Sequence, residues 1–412
     1  MDVHTPTGSR PTVPWRDLLP TALIPNVLHG SGQGAAVPVT LLAAMSLTES
    51  SAAAAVVAAM LTVGQLLLAL PAGWLVSRFG ERPVMLASTA VTGLGGLSAH
   101  LASTLWALAA GALLIGSGVS VFIMARHAWV TVAVPVEVRG RSLSALAGAA
   151  RLGLFAGPFL AAAAMRLTGD VRGGFLVVVA TSVLQAVIVA LAPFHESEAD
   201  EDDTRAARPR VLRTIRERRD VLLTLGLTVS VVSTMRTTRR ILVPLVGAAV
   251  GLDEVTVTLV VGVASGLDFS LFYLGGIVTD RWGRLAVAVP ALVAFGVSHL
   301  GLALAPQLPA GLAWFLTSTT VMAMANGWSG GVVATMGVGS RRPAITRALP
   351  RLMAADDGTG ALCRAVRHRR AGRRALAVRG VCGPRRPRRG GRRRASASGT
   401  QVSAVGAALG SF

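Results

Sequence analysis

Three arginines lie inside a stretch of sequence that is otherwise apolar enough to cross a membrane. Arg236, Arg239 and Arg240 have the i, i+3, i+4 spacing that puts side chains on one face of a helix. Arg236 follows Val221 by 15 residues, a rise of about 22 Å along a helix. Facing lipid, each arginine would cost about 2.5–3.5 kcal/mol or more. The three guanidinium groups are therefore expected to face the protein interior, a water-filled cavity or, by snorkelling, the outer surface.

Two further charges, Arg151 and Asp268, lie deep in other apolar stretches. Arg151 follows Arg141 by ten residues, about 15 Å of helix, and Asp268 precedes Asp280 by twelve residues, about 18 Å. Two interpretations remain open. In the structural one, Asp268 pairs permanently with an arginine and fixes the helix register, since buried ion pairs often have no part in transport. In the functional one, the arginine face binds an anionic or polar substrate, and Asp268 takes up or releases a proton.

The composition indicates the class of protein that must position these charges. Hydrophobic residues make up 52% of the chain, charged residues only 15%, and the mean hydropathy is +0.59, whereas soluble domains have about 25% charged residues. Apolar runs of about 20 residues, long enough to cross the hydrocarbon core of a bilayer as a helix, recur along residues 1–340. The N-terminal stretch lacks a signal-peptide pattern, so the first apolar span is expected to remain in the mature protein.

These runs predict an all-α polytopic membrane protein with ten membrane helices. The predicted spans are 18–46, 53–77, 84–103, 105–127, 142–165, 174–194, 221–250, 255–279, 285–305 and 311–335. The predicted parts of the chain are a cytoplasmic N-terminus (1–17), an N-terminal six-helix bundle (18–194), a cytoplasmic linker (195–220), an incomplete C-terminal bundle of four helices (221–336) and an Arg-rich disordered tail (337–412).

The arginines, which account for all 40 basic residues, indicate the orientation of the chain. Within residues 1–340 the predicted loops alternate between Arg-containing and Arg-free ones, and only the loop with Arg166 and Arg172 breaks the pattern. The positive-inside rule then places both termini and the linker in the cytoplasm, with the protein in the plasma (inner) membrane.

The tail differs from the rest of the chain. Residues 341–412 hold 18 of the arginines and both cysteines, and contain no apolar run long enough for an eleventh or twelfth span. Abundant Arg, Gly, Pro and Ala without Lys is the composition of a GC-rich gene read out of frame. We therefore expect a chain that is truncated or frameshifted after the tenth helix. The alternatives to transport are a non-functional truncated product, or binding of anionic lipid or nucleic acid by the tail. Phe412 is the tail's single aromatic residue, so specific nucleic-acid recognition is not expected.

Two basic loops 203 residues apart repeat one pattern. The first reads Gly-Trp-Leu-Val-Ser-Arg-Phe-Gly-Glu-Arg (73–82), and the second reads Gly-Ile-Val-Thr-Asp-Arg-Trp-Gly-Arg-Leu (276–285). Each lies between two apolar runs and therefore joins two membrane helices. Two similar halves are the architecture of transporters that rock one half against the other.

The two loops resemble the cytoplasmic loops of the major facilitator superfamily, which read approximately G-x-x-x-D-R-x-G-R-R/K after the second and eighth helices. Ser77 and Glu81 depart from this pattern in the first copy, and Leu285 departs from it in the second. The resemblance implies that the loops help to hold and release the inward gate, through Gly73, Arg78, Gly80, Arg82, Gly276, Asp280, Arg281, Gly283 and Arg284. The fifth helix adds a weak similarity to antiport-type members, carried by Gly148, Gly153, Gly157 and Pro158.

The resemblance also implies a central cavity lined by the first and seventh helices. The candidate substrate or ion cavity comprises His29, Gln33, Arg126, Arg151, Arg236, Arg239, Arg240 and Asp268. Arg126 is included as a substitute for the arginine that many proton-coupled drug exporters carry in the fourth helix. Gln65, Gln185 and Asn326 are expected to hydrogen-bond between helices.

Taken with this resemblance, the sequence predicts a monomeric secondary transporter of a small molecule that works by alternating access. Its expected partners are the substrate, a coupling proton or other ion, and the lipid bilayer, and efflux is the predicted direction. No enzymatic activity, cofactor or metal site is expected, because the sequence has no metal-ligand cluster, no G-x-S-x-G elbow and no Walker-type phosphate loop.

Overall fold

A computed structural model describes residues 15–192, 219–282 and 284–338 of the chain. Ten long helices follow one another in this part: α1 (Ile24–Met45), α2 (Ser51–Phe79), α3 (Glu81–His100), α4 (Leu105–Ala133), α5 (Val136–Thr168), α6 (Phe175–Leu191), α7 (Arg219–Ala249), α8 (Glu254–Trp282), α9 (Arg284–Leu304) and α10 (Gly311–Val338). Short helical turns, Trp15–Leu18 and Leu19–Leu23, lead into α1. Each helix overlaps one predicted span, so the all-α prediction is confirmed.

The predicted division into parts is not tested by these helices. Nearly all of the predicted linker (195–220) and of the predicted tail (337–412) lies outside the described residues, as do residues 1–14 of the predicted N-terminus. These boundaries therefore stay predictions.

Length and composition make several of the helices suitable for crossing a membrane. Within the described residues, six segments are long and apolar enough: Ser51–Phe79, Leu105–Thr131, Val138–Thr168, Val171–Leu191, Glu254–Phe272 and Ala286–Gln307. Helix α7 is not among them, and it is the helix that carries Arg236, Arg239 and Arg240.

The outer surface of the bundle is apolar. On α9 the exposed side chains Val289, Val293, Val297 and Leu300 follow one another at helical spacing and form a single outward stripe. Leu70 on α2 is 89% exposed. A surface of this kind would promote aggregation in water, whereas in a bilayer it contacts acyl chains. The chain is a multi-pass membrane protein.

The helix ends repeat with the same offset as the loop motif. Helix α2 begins at Ser51 and ends at Phe79, while α8 begins at Glu254 and ends at Trp282, so both ends are 203 positions apart and both helices have 29 residues. Helix α3 begins two residues after α2, and α9 begins two residues after α8. The two halves therefore place equivalent helix ends around equivalent loops.

The loop that broke the charge pattern contains a local ion pair. Arg172 Nη2 lies 2.7 Å from Asp170 Oδ2, and the hydrogen bonds that Arg172 donates hold the pKa of Asp170 below its usual value. Arg172 also donates to the carbonyl of Ala102, 2.9 Å away, and its own carbonyl oxygen lies 2.9 Å from His100 Nδ1. Arg172 therefore links α5, α6 and the end of α3, which gives it a structural reason to be there.

Candidate functional site

A polar cavity lies between the first six helices and the last four. It has a volume of about 220 Å³ and is lined by α1, α4 and α5 on one side and by α7, α8 and α10 on the other. All eight residues of the candidate cavity line it: His29, Gln33, Arg126, Arg151, Arg236, Arg239, Arg240 and Asp268. The structure thus brings these residues together, and their part in binding stays a prediction.

Asp268 is the centre of the polar contacts in this cavity. Its Oδ1 accepts a hydrogen bond from Arg151 Nη1 at 3.0 Å, and its Oδ2 lies 3.7 Å from Arg239 Nη2. The Nδ2 of Asn326 also donates to Oδ2. Because Arg151 is on α5 and Asp268 is on α8, this ion pair joins the two halves of the protein.

A close helix contact explains why Asn326 can reach Asp268. A Cβ atom at Gly327 would lie 2.5 Å from the carbonyl oxygen and 2.9 Å from the Cα of Asp268, distances that real side chains do not tolerate. Gly275, two helical turns after Asp268 on α8, allows the same approach: a Cβ there would lie 2.1 Å from the carbonyl oxygen of Trp328. Small residues let membrane helices approach this closely, and here the approach puts an amide beside a carboxylate.

The remaining arginines of α7 contact fewer anionic groups. Arg236 is 8% exposed and donates from Nη2 to Ser329 Oγ at 2.9 Å and to the carbonyl of Asn326 at 3.4 Å, while its Nε has no partner in the described part of the chain. Arg240 forms no ion pair with the described carboxylates. Serine and carbonyl oxygens satisfy hydrogen bonds but do not balance a charge, so both arginines leave positive charge in the cavity.

On the opposite side, Arg126 of α4 is buried without a carboxylate among the described residues. It is 4% exposed, and of its nitrogens Nη2 lies 3.5 Å from His127 Nε2 while Nε and Nη1 have no partner there. The ring of His29 stacks on Phe122 with centroids 4.6 Å apart, and its Nε2 is likewise unpartnered. Burying an unpaired charge is expensive unless a ligand or water compensates it.

The cavity is therefore strongly cationic. Its described lining contains five arginines and one aspartate. With the histidines taken as neutral, this is a formal excess of four positive charges. An Arg guanidinium presents a fork of donors that matches a carboxylate or phosphate. The arrangement can bind an anion, and the carboxylate of Asp268 already pairs with two of these arginines, Arg151 and Arg239.

Several contacts of this site were not predicted from the sequence. Phe272 lies under the guanidinium of Arg151, with Cζ 3.9 Å from the ring centroid, and Asn26, His127 and Ser329 were also not predicted. Asn326 bonds between helices as predicted, whereas Gln185 Nε2 has no partner in the described residues. No spacing signal marks such residues, because helices far apart in sequence bring them together.

The first repeat loop contains a glycine that its backbone requires. Gly80 has φ +82° and ψ 165°, a region essentially reserved for glycine, and it separates α2 from α3. Arg82 donates from Nη2 to the carbonyl of Ala190 at the end of α6. A Cβ at Gly73 would contact nothing within 4 Å, so packing does not explain that glycine.

The second repeat loop is described only in part. Gly276 and Asp280 lie in α8, and Arg284 begins α9. Arg281 lies 5.8 Å from the ring centroid of its neighbour Trp282. Gly283 and the side chains of Asp280 and Arg284 are outside the described part of the chain. The gating role of both loops stays a prediction.

The described residues contain no group of His, Cys, Asp and Glu that could hold a metal ion. Both cysteines lie in the undescribed tail.

Similarity to known proteins identifies the class of protein to which this fold and cavity belong. A sequence profile of the Major Facilitator Superfamily matches residues 22–348. The chain therefore belongs to the major facilitator superfamily of membrane transporters.

Solved transporter structures share the fold at low sequence identity. The xylose transporter XylE from E. coli, in a partially occluded inward-open conformation, is 14% identical with a TM-score of 0.61, over 79% of this chain and 87% of its own. The nucleoside transporter NupG is 11% identical with a TM-score of 0.59, over 78% and 82%. A D-xylose–proton symporter is 18% identical with a TM-score of 0.58, over 76% and 80%. None of the curated protein sequences matches this chain.

Proposed function

We propose that this protein transports a small organic anion by alternating access, together with a proton carried by Asp268. The observation that carries the proposal is the lining of the cavity between the halves, with five arginines against one carboxylate. The xylose and nucleoside transporters named above act on uncharged substrates, so this proposal rests on the residues of this chain. A volume of about 220 Å³ is below the roughly 300–1,000 Å³ of sites for drug-sized ligands, which favours a small metabolite.

The contacts of Asp268 suggest how a proton would be coupled. While it is ionised, Asp268 competes with a substrate anion for Arg151 and Arg239, which lie 3.0 and 3.7 Å from its oxygens. Protonation removes that competition, so the proton and the anion each favour binding of the other, as linkage requires. Such coupling favours co-transport, with the direction set by the two gradients. Efflux stays a prediction, since Gly153 and Gly157, on which it rests, also have a packing role.

The orientation of the protein is part of the proposal. The alternation of Arg-containing and Arg-free loops supports cytoplasmic termini for a protein that we assign to the plasma (inner) membrane. A monomer suffices for the mechanism, because one chain supplies both sides of the cavity. The tail-based functions and a non-functional product remain alternatives.

A binding experiment with matched acids and amides tests the anion proposal. In detergent-purified protein, benzoate and succinate should raise the apparent Tm, while benzamide and succinamide should not. Arg240→Gln should weaken acid binding about 10–100-fold, the worth of one charge-assisted hydrogen bond.

Arg166→Gln provides the control, because Arg166 is exposed at the end of α5 and outside the cavity, and it should bind acids as the wild type does. Equal stabilisation by acids and amides would contradict the proposal.

A further inference from the structure

The two sides of the cavity each contain positive charge that no carboxylate among the described residues balances. On the side of the first six helices this charge belongs to Arg126, and on the side of the last four it belongs to Arg236 and Arg240. Asp268 is the shared counter-ion of Arg151 and Arg239, and these three arginines have no carboxylate partner among the described residues.

Arg126 has the properties of an anion-binding group and not of a structural one. It is 4% exposed, lines the cavity, and has two guanidinium nitrogens without partners in the described residues. A structural arginine at this depth would normally bond to carbonyls or a carboxylate, because buried polar groups are nearly always satisfied. The ring of Phe122, 5.9 Å from its Cζ, and the stacked ring of His29 restrict its position without neutralising it.

His29 adds a second polar group at this end. Its Nε2 is buried and unpartnered, and its side chain lines the same cavity. In the tautomer with the proton on Nε2, neutral His29 can donate a hydrogen bond. Arg126 and His29 together thus offer donors to the oxygens of one acidic group.

From these observations, and resting on the proposed function, we infer that the substrate is a dianion with an acidic group at each end. One group binds Arg126 and His29 on α4 and α1, and the other binds Arg236 and Arg240 on α7. A monoanion would leave the arginines at one end without a counter-ion, whereas a dianion supplies a counter-ion at both ends. The dianion would also contact both halves at once, because Arg126 belongs to the first six helices and Arg236 and Arg240 belong to the last four.

Matched diacids and half-esters test this inference. Wild-type protein should bind glutarate about 10–100-fold more tightly than monomethyl glutarate, since the second acid adds charge-assisted hydrogen bonds. Arg126→Gln should remove this preference while leaving the affinity for monomethyl glutarate within about threefold, since the half-ester can bind at the α7 end. Arg166→Gln, outside the cavity, should keep the full preference.

Two readouts separate the ways in which the inference can fail. The apparent Tm of ligand-free Arg126→Gln should equal or exceed that of the wild type, because a buried uncompensated charge is removed; a lower Tm would show that Arg126 is structural. Equal binding of glutarate and monomethyl glutarate by the wild type would overturn the dianion while leaving the anion proposal intact. Equal binding of dimethyl glutarate, which is uncharged, would overturn both.

Discussion

Asp268→Asn is expected to abolish the pH dependence of anion binding and transport. Wild-type protein should bind benzoate more tightly as the pH falls, because protonation of Asp268 releases Arg151 and Arg239. The neutral amide of the variant would resemble the protonated carboxyl at every pH, so the variant should show a flat profile at the wild type's low-pH affinity. Benzoate titrations across pH, followed by uptake into proteoliposomes with and without a pH gradient, measure both effects.

The same substitution should also destabilise the ligand-free protein. Removing the carboxylate leaves Arg151 and Arg239 without their anionic partner, and breaking a buried pair typically costs about 3–5 kcal/mol. We expect about 3 kcal/mol, because the side chains of the pair are still 20% and 12% exposed to the cavity. Benzoate at about 100 times its Kd should restore about 2.7 kcal/mol, since the added anion takes the place of the carboxylate.

A matched ion pair outside the membrane provides the stability control. Asp170 pairs with Arg172 at 2.7 Å, but its side chain is 39% exposed, and exposed pairs contribute about 0–1 kcal/mol. Because the pKa of Asp170 is lowered in the folded protein, this small contribution is present above the carboxyl's unfolded pKa and is lost as the pH falls. Asp170→Asn should therefore leave the benzoate profile unchanged and the stability nearly so.

Other charged and titratable groups around Asp268 decide how the result is interpreted. The charged groups that face it are Arg151 from α5 and the three arginines of α7. His29 and His127 also line the cavity, and His29→Gln should keep the pH dependence that Asp268→Asn loses. Retention of the pH dependence in Asp268→Asn would remove this residue from the coupling mechanism.

The ten helices and the repeat were predictable because both are local signals. An apolar run of about 20 residues needs no partner to be recognised, and the ends of α2 and α8 follow directly from the loop motif. The cavity residues were predictable for an equally local reason: a charge within an apolar span cannot face lipid cheaply. Arg236, Arg239 and Asp268 were identified in this way.

The partners of those charges could not be predicted, because they depend on how helices pack. Arg151 and Asp268 are 117 positions apart, and nothing in the spacing selects Arg151 over the three arginines of the neighbouring α7. The Asn326 contact depends on the missing side chain of Gly327. Pairing of this kind is settled by distances of a few tenths of an ångström between helix backbones, which a sequence pattern does not contain.

The same limit applies to the glycines of α5, two of which have opposite environments. A Cβ at Gly153 would lie 2.2 Å from the carbonyl oxygen of Val27 and 2.7 Å from the backbone nitrogen of Ser31, both on α1. A Cβ at Gly148, five residues earlier on the same helix, would have nothing within 4 Å. Both residues are glycines of the same helix, so the sequence does not distinguish them. Only the packing shows that Gly153 has a structural role and Gly148 does not.

Gly153→Ala should therefore be strongly destabilising, whereas Gly148→Ala should not. The new methyl group would meet backbone atoms that cannot rotate away, so α1 and α5 must separate by about 1 Å or more, at an overpacking cost of about 1–3 kcal/mol. At Gly148 the methyl group enters open space, and the change should lie within about 1 kcal/mol, the difference in helix propensity between Gly and Ala. The apparent Tm and the size-exclusion profile of the two variants measure this difference.

The separation of α1 and α5 should also reach the binding site. Helix α1 carries His29 and Gln33, and α5 carries Arg151, so moving the helices apart shifts donors on one side of the cavity. A displacement of about 1 Å can reduce a rate about 100-fold when geometry is critical, and we expect Gly153→Ala to lose benzoate binding and transport at temperatures where it is still folded. Gly148→Ala should keep both. Similar stability and binding in the two variants would show that the close contact between α1 and α5 does not position the cavity.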